Sequence, residues 1–504
     1  MLKKNSITLN KFSLLLNYPL INVFISGLLA NLCFCKGYTY PVLVIPMFYV
    51  LLSALQKCKN QKYRNPFLLG FAFGFGYFGS TLFWVVEAFK CVGFGVYGYV
   101  AVLLLVIYLS IFPATACTLS TRFSKTETDF SILFSIFWTI CEYIRGWLFT
   151  GFPWNLIGYV TYDIPYFSQI ADIFGVYGVS FFFLLSICFS INKKTVFYGL
   201  GIFCIIISYG IYKIELYGDY IIPSKTDNIS IIQPSISQED KMNREKIREC
   251  IARHLEISNL NAAEKRLIVW PEAAIGIPLD AQYEIGPFID RDDVFVLTGT
   301  DRFTQDRKLF NSLKIIGKNS KILQIYDKRH LLPFGEFIPE WLLDFGLRKV
   351  VPSIINYLPG ERTRTISLPG FNQFDVIICY EIVFPGEIID NQGSSWILNI
   401  TNDAWFKDSD GPSQHLRTTC FRAIEEGKAI ARCANNGISC IIDCNGRVIK
   451  NLETNAIGKI EHAMPMKYQN TIFSRYKNGT ILTVLLMLLL VAILNSKREQ
   501  CNDR

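Results

Sequence analysis

A carboxylate, an ammonium and a thiol end three hydrophobic runs of this 504-residue sequence: Glu272 closes LIVWPE, Lys328 closes QIYDK and Cys379 closes FDVIIC. Each run reads as a buried strand. In an α/β fold the carboxyl ends of strands face the crevice where substrates bind. A free thiol titrates near ~8.5, so it needs a base before it can attack, and a carboxylate can take that proton. A fixed ammonium can stabilise the oxyanion of a tetrahedral intermediate. One acid, one cation and one thiol therefore suffice for acyl transfer. Singly, each has an ordinary reading: a turn acid, a solvated strand-end charge and a small core hydrophobe. Separations of 56 and 51 residues leave room for two strand–helix or strand–strand units between successive members, so the three strand ends can converge.

The elements that must position these groups follow from the periodicity after Asn228. Residues 229–233, 267–270, 294–298, 312–316, 322–326, 374–378 and 396–400 read as strands. The stretches 238–260 and 414–434 read as helices, and 401–406 as a loop. Residues 437–443 and 447–449 flank Cys444-Asn445-Gly446, an Asn-Gly hairpin signal. Alternating strands and helices imply a layered α/β sandwich.

The rest of the chain differs in composition. Mean hydropathy is +0.29, yet residues 12–212 are mostly apolar and aromatic while 225–470 carry mixed charge. Apolar runs at 13–35, 39–56, 66–89, 96–120, 130–150, 166–191, 195–212 and 479–495 fit a hydrocarbon core of ~30 Å. The expected organisation is a seven-span membrane domain (1–212), an extracytoplasmic catalytic domain (213–478), and a closing span with a cytoplasmic tail (479–504). The net charge of +8 lies in short clusters between apolar runs, which fits membrane topology and not a nucleic-acid face. Lys3, Lys4 and Lys11, then Lys57, Lys59, Lys62 and Arg64, then Arg122 and Lys125, Lys193 and Lys194, and finally Lys497, Arg498 and Arg504 alternate with loops that carry one basic residue or none. This places both termini in the cytoplasm, although Arg475 and Lys477 run against the bias. Four His and no HExxH or paired CxxC argue against a metal, and there is no Gly-rich phosphate loop, so no cofactor is expected.

Glu87, Glu142 and Arg145 are ionisable groups near membrane depth. Glu142 and Arg145 stand at i, i+3, and a mutual pair accounts for both. The basic-free segment Gly151-Phe152-Pro153-Trp154 suits the lipid headgroup level, where Trp154 can shape substrate access or simply anchor the interface. Asn402, Asp403 and Trp405 frame a pocket floor or an ordinary turn. Arg422, Glu425 and Glu426 read as helical ion pairs, and Cys250, Cys420, Cys433, Cys440 and Cys444 as mostly buried thiols.

The joint pattern WPEAAIG, YDKRHLLPFGEFIP, CYEIVFP and NDAWF resembles the nitrilase superfamily. With seven spans before that domain and one after, it is similar over essentially the whole chain to the apolipoprotein N-acyltransferase family. The resemblance implies a multi-span helical membrane domain joined to an αββα nitrilase-like sandwich. It implies Glu272 as general base, Lys328 as oxyanion-stabilising cation and Cys379 as nucleophile. Glu336 matches a second acid near the triad, Tyr380 and Glu381 the pair after the nucleophile, and Asn311 a polar residue beside the pocket. Met242 stands where the family leads one to expect an aromatic residue.

The activity so implied is acyl transfer from a membrane phospholipid, through a Cys thioester, to the α-amino group of a diacylglyceryl-cysteine on an apolipoprotein. The expected setting is the bacterial inner membrane, the catalytic domain periplasmic and the protein monomeric. A membrane-tethered amidase, with water resolving the thioester, uses the same triad. A transporter or receptor whose exterior domain only binds ligand is the third reading.

Overall fold

The computed structural model describes residues 18–37, 39–59, 65–191, 193–217, 222–260, 265–275, 285–338, 356–466 and 470–502. Lys3, Lys4, Lys11, Lys62, Arg64 and Arg504 of the charge pattern, and the start of the first expected span, lie outside them. The chain forms two compact units. One comprises Met1–Val85, Tyr99–Ile211 and Asn478–Arg504, and the other Val86–Gly98 and Tyr212–Lys477.

The first unit is helical. Asn65 caps the helix Pro66–Thr81 by accepting from the Phe67 amide at 2.9 Å, and Thr126 with Asp129 forms a capping box on Glu127–Arg145. Among the described residues four helices are long and apolar enough to cross a bilayer: Pro41–Cys58, Gly95–Phe123, Ala171–Ile191 and Val196–Glu215. A fifth results if the bent pair Pro66–Thr81 and Phe83–Lys90 is one span. The expected spans at 13–35 and 479–495 fall on the shorter apolar helices Pro19–Phe34 and Gly479–Leu494. The expected span at 130–150 falls on Glu127–Arg145, whose ionisable residues Glu127, Asp129, Glu142 and Arg145 set it apart from the apolar group.

The expected pairing of Glu142 with Arg145 is corrected. Arg145 donates instead to the carbonyl oxygens of Phe152 and Trp154, each at 2.8 Å. Glu142 Oε1 accepts from the Ile157 amide at 2.8 Å and from Trp138 Nε1 at 3.2 Å. Phe149, Thr150 and Gly151 all have positive φ, and the segment after them leaves the helix, so its backbone groups lie outside the helical hydrogen-bond ladder. In an apolar unit such groups must find internal partners, and the two charged side chains supply them.

The second unit is a four-layer sandwich. Its strands are β1 (Ile222–Gln233), β2 (Arg266–Val269), β3 (Val294–Phe303), β4 (Leu309–Ile316), β5 (Ile322–Asp327), β6 (Thr365–Ile366), β7 (Phe374–Ile378), β8 (Trp396–Thr401), β9 (Ala429–Ala434), β10 (Ser439–Ile442), β11 (Val448–Leu452) and β12 (Gly458–Met466). They form two six-stranded sheets, ordered β12-β1-β2-β3-β4-β5 and β11-β10-β9-β8-β7-β6. In each sheet the central strands are parallel: β1, β2 and β3 in one, β7, β8 and β9 in the other. Alternate residues of both, among them Ile231, Val269, Leu297, Val376, Leu398 and Ala431, share one core between the sheets. The opposite face of the first sheet, with Ile268, Trp270 and Val296, packs on Ile247 and Ile251 of the helix Ile247–Ser258. The helix Gly411–Glu426 packs against β9. The expected αββα architecture is the one observed.

Two expected helices are corrected. The stretch 414–434 is a helix only to Glu426. Gly427 takes a left-handed conformation (φ 64°) and turns the chain into β9. A strand buried on both faces has a continuous apolar run, which periodicity alone does not separate from a helix. The stretch 238–260 breaks at Asn243, whose side chain accepts from the Glu245 amide at 3.0 Å and starts a new turn. The strand β12 was not expected.

Candidate active site

The strand ends converge as their positions require. Beyond β2, Glu272 is followed by Ala273 at φ 47°, and beyond β7, Cys379 itself sits at φ 48°. L-residues rarely occupy this left-handed region, and a non-glycine there marks a turn held by its surroundings. Gly299 of β3 makes the first turn possible, because a Cβ there would collide with the Pro271 carbonyl oxygen and the Glu272 Cα. Glu381 holds the second, accepting from the Ile378 amide at 2.8 Å. Lys328 follows β5 with its N–H on the Asn311 carbonyl and its own carbonyl on the Gly360 amide, both at 2.8 Å.

Four of the expected residues form one hydrogen-bonded cluster. Lys328 Nζ lies 2.9 Å from Glu336 Oε1 and 3.5 Å from Glu272 Oε1. Asn311 Nδ2 donates to the same two oxygens, at 2.8 Å each. The remaining oxygens are also occupied: Glu272 Oε2 accepts from the Asn402 amide at 2.9 Å, and Glu336 Oε2 from the Leu332 amide at 2.7 Å. Burial disfavours the Lys328 ammonium, but the Glu336 and Glu272 carboxylates outweigh it and push its pKa above the ordinary lysine range.

Cys379 belongs to the same electrostatic group. Burial and the Glu272 charge push its thiol well above the usual range, and Lys328 opposes them only in part. Nearby, Thr401 donates to Asp403 Oδ1 at 2.9 Å. Asp403 is in turn held by Arg432 at 2.8 Å and His415 at 3.1 Å. Burial would raise the Asp403 carboxyl, yet those two partners hold it at about 2.

Glu381 acts one layer away. It accepts from Tyr326 Oη at 2.8 Å and from the Arg329 and His330 amides at 3.0 and 3.2 Å, which fixes the segment carrying Lys328. The Tyr380 ring is buried and packs edge-on against Phe384. Trp154 is not among these residues: it is buried in the helical unit against Trp84 and Phe152. Met242 is exposed, whereas its neighbour Lys241 is buried and donates to the Glu272 carbonyl oxygen at 3.2 Å.

Residues not singled out from sequence are Lys241, Thr401, Arg432, His415 and Asp301. Asp301 faces Asn311 across β3 and β4 and accepts from Tyr357 Oη at 3.0 Å. Burial, followed by the Glu336 and Glu272 charges, pushes it up to about 7 against the Tyr357 hydrogen bond. Asn402 and Asp403 do more than form a turn. Arg422 and Glu425 form the expected helical ion pair at 2.8 Å, while Glu426 pairs with Lys477 at 2.9 Å. Cys250, Cys420, Cys433, Cys440 and Cys444 are buried, as expected.

Comparison with known proteins matches two family descriptions to successive parts of the chain. Residues 26–189 match the family described as apolipoprotein N-acyltransferase N-terminal domain, and residues 228–469 match carbon-nitrogen hydrolase. The apolipoprotein N-acyltransferase of Rickettsia bellii is 32% identical, the alignment covering 95% of this chain and 98% of that protein. That of Rickettsia typhi is 31% identical over 94% of this chain and 97% of its own. Among solved structures, an amidase from Nesterenkonia sp. aligns at 18% identity and a TM-score of 0.35, covering 49% of this chain and 92% of the amidase. By whole-length similarity to its relatives, the chain belongs to the apolipoprotein N-acyltransferase family.

Proposed function

We propose that the protein transfers an acyl chain from a membrane phospholipid to the α-amino group of the diacylglyceryl-cysteine that begins an apolipoprotein, through a thioester on Cys379. Glu272 takes the Sγ proton as sulfur bonds to the ester carbonyl carbon, and the oxyanion faces Lys328. Collapse breaks the ester C–O bond, and the proton on Glu272 passes to the departing lysophospholipid oxygen. The acceptor amine then attacks the thioester and loses a proton to Glu272. The C–S bond breaks, the sulfur recovers that proton, and an amide remains. Glu336 and Asn311 hold Lys328 and Glu272 in register, while Tyr380 and Glu381 complete the surroundings of the nucleophile.

The setting belongs to the same proposal. Residues 1–212 cross the inner membrane seven times, 213–478 form the periplasmic catalytic domain, and 479–504 supply a closing span and cytoplasmic tail, in a protein that acts as a monomer. Trp154 serves the lipid substrate's access. The basic bias of the short loops and the family membership support this placement.

The observation that carries the reading is the shared network of Glu272, Lys328, Glu336 and Asn311, in which the Glu272 and Lys328 charges both act on the Cys379 thiol. The test is incubation of the purified protein with a phospholipid carrying a radiolabelled acyl chain and a diacylated lipopeptide. Amide-linked label on the lipopeptide, lost in Cys379→Ala, is expected. Label released only as free fatty acid would assign the thioester to water, and label transfer by Cys379→Ala would remove the nucleophile.

A further inference from the structure

The turn that presents Glu272 is held by a group with no part in the mechanism above. Lys241 lies in the five-residue helix Gln238–Met242, and although its side chain is cationic it is 3% exposed. Its Nζ donates to the main-chain oxygen of Glu272 at 3.2 Å. No carboxylate of the described residues lies within ion-pair distance of it. A buried ammonium whose hydrogen bond goes to a backbone carbonyl is costly to maintain. Burial lowers it to about 8, with the Glu272 carboxylate opposing, so it remains largely charged at neutral pH. The other titratable groups facing it are the thiols of Cys250 and Cys433 and the imidazole of His254, all shifted towards the neutral form, chiefly by burial.

The same short helix reaches Glu272 by a second route. Gln238 Oε1 accepts from Asn402 Nδ2 at 2.9 Å, and the Asn402 amide donates to Glu272 Oε2 at 2.9 Å. Glu272 is thus fixed at its main chain by Lys241 and at its carboxylate by Asn402, just before the left-handed Ala273.

We infer that Lys241 is a positioning residue for the base: by clamping the Glu272 carbonyl across the strained Glu272–Ala273 turn, it fixes where the carboxylate meets the Cys379 thiol. This rests on Glu272 being the base. A displacement of ~1 Å in such a group costs on the order of 10²-fold in rate.

The test uses the full-length protein in phospholipid vesicles, reading single-turnover formation of the acyl-enzyme and the phospholipid KM separately. Lys241→Met is expected to slow acyl-enzyme formation about 100-fold at unchanged KM, and Lys241→Gln, which keeps a donor without the charge, to recover about tenfold of that loss. Should the Met variant fail to fold, the Gln variant decides alone: a loss of about tenfold in the single-turnover rate supports the clamp. A rate within about twofold of wild type, or a loss confined to KM, overturns it. Glu272→Gln is run beside them. Acyl-enzyme formation surviving in that variant would remove Glu272 as the base, whereas its loss together with an unaffected Lys241 variant would remove Lys241 alone.

Discussion

Lys328 and Glu336, eight residues apart in sequence, form an ion pair of 2.9 Å with side chains 2% and 11% exposed. The pair is not isolated, because Asn311 spans it to Glu272 and the Leu332 amide caps the other Glu336 oxygen. Removing one partner of a buried pair leaves an uncompensated charge, typically at a cost of about 3–5 kcal/mol. Glu336→Gln keeps the shape and removes the charge. We expect a lower thermal midpoint and a fall in kcat/KM of at least about 100-fold, measured on the same phospholipid substrate. A variant with wild-type activity would show that the pair is ornamental.

Cys379 gives a prediction in which two readouts move in opposite directions. The Glu272 charge helps to hold the thiol in its protonated form, so Glu272→Gln should lower the thiol pKa and raise the rate of alkylation by iodoacetamide. The same change should abolish acyl transfer, because the base is gone. Lys328→Met should depress both, since it removes the charge that favours the thiolate. In the wild-type protein the thiolate fraction, and so alkylation, should still be rising at the top of the accessible pH range. Alkylation rates from pH 7 to 10 with quantification of the Cys379 peptide decide this. Parallel losses of alkylation and transfer in Glu272→Gln would contradict the assigned role.

Glu381 is predicted to matter without touching substrate. It gathers Tyr326 Oη and the amides of Ile378, Arg329 and His330, with Arg364 at 3.4 Å. Glu381→Ala leaves these donors unpaired and leaves the buried Arg364 guanidinium with Asp390 alone at 3.7 Å, a loss of about 3 kcal/mol or more. Thermal unfolding should show it. A midpoint unchanged within a degree would mean that the carboxylate does not hold the segment bearing Lys328.

The left-handed backbone at Cys379 allows a further check. Alanine there bears the strain of φ 48°, whereas glycine adopts that conformation freely. Cys379→Gly should be more stable than Cys379→Ala by about 0.5–1 kcal/mol, both being inactive. The reverse order, read from thermal midpoints, would show that the turn is not strained.

The legible part of the site was the part written in short apolar runs. A strand of four to six apolar residues followed by one polar side chain announces both an element and a position at its carboxyl end, which is how Glu272, Lys328 and Cys379 stood out. Lys241 was hidden by its setting, since a lysine in the polar stretch QEDKMNREK looks solvated and only the fold buries it. The Asp403–Arg432 pair, 29 residues apart, was likewise invisible because its members share only a location in space. The strand β9 was misread because a strand buried on both faces has no alternation to display. Glu142 and Arg145 were correctly noticed, but helical spacing said nothing of the irregular segment that engages them both.

The central claim is that a fatty chain rests on one sulfur between two lipid-anchored partners. The most direct measurement is mass spectrometry of the purified protein after exposure to a phospholipid of defined acyl composition without acceptor, followed by proteolysis at mildly acidic pH. The expected result is a single acylated peptide containing Cys379, released by hydroxylamine and discharged by addition of the diacylated lipopeptide. An unmodified Cys379 peptide, or an acyl group found on any other residue, would contradict the account.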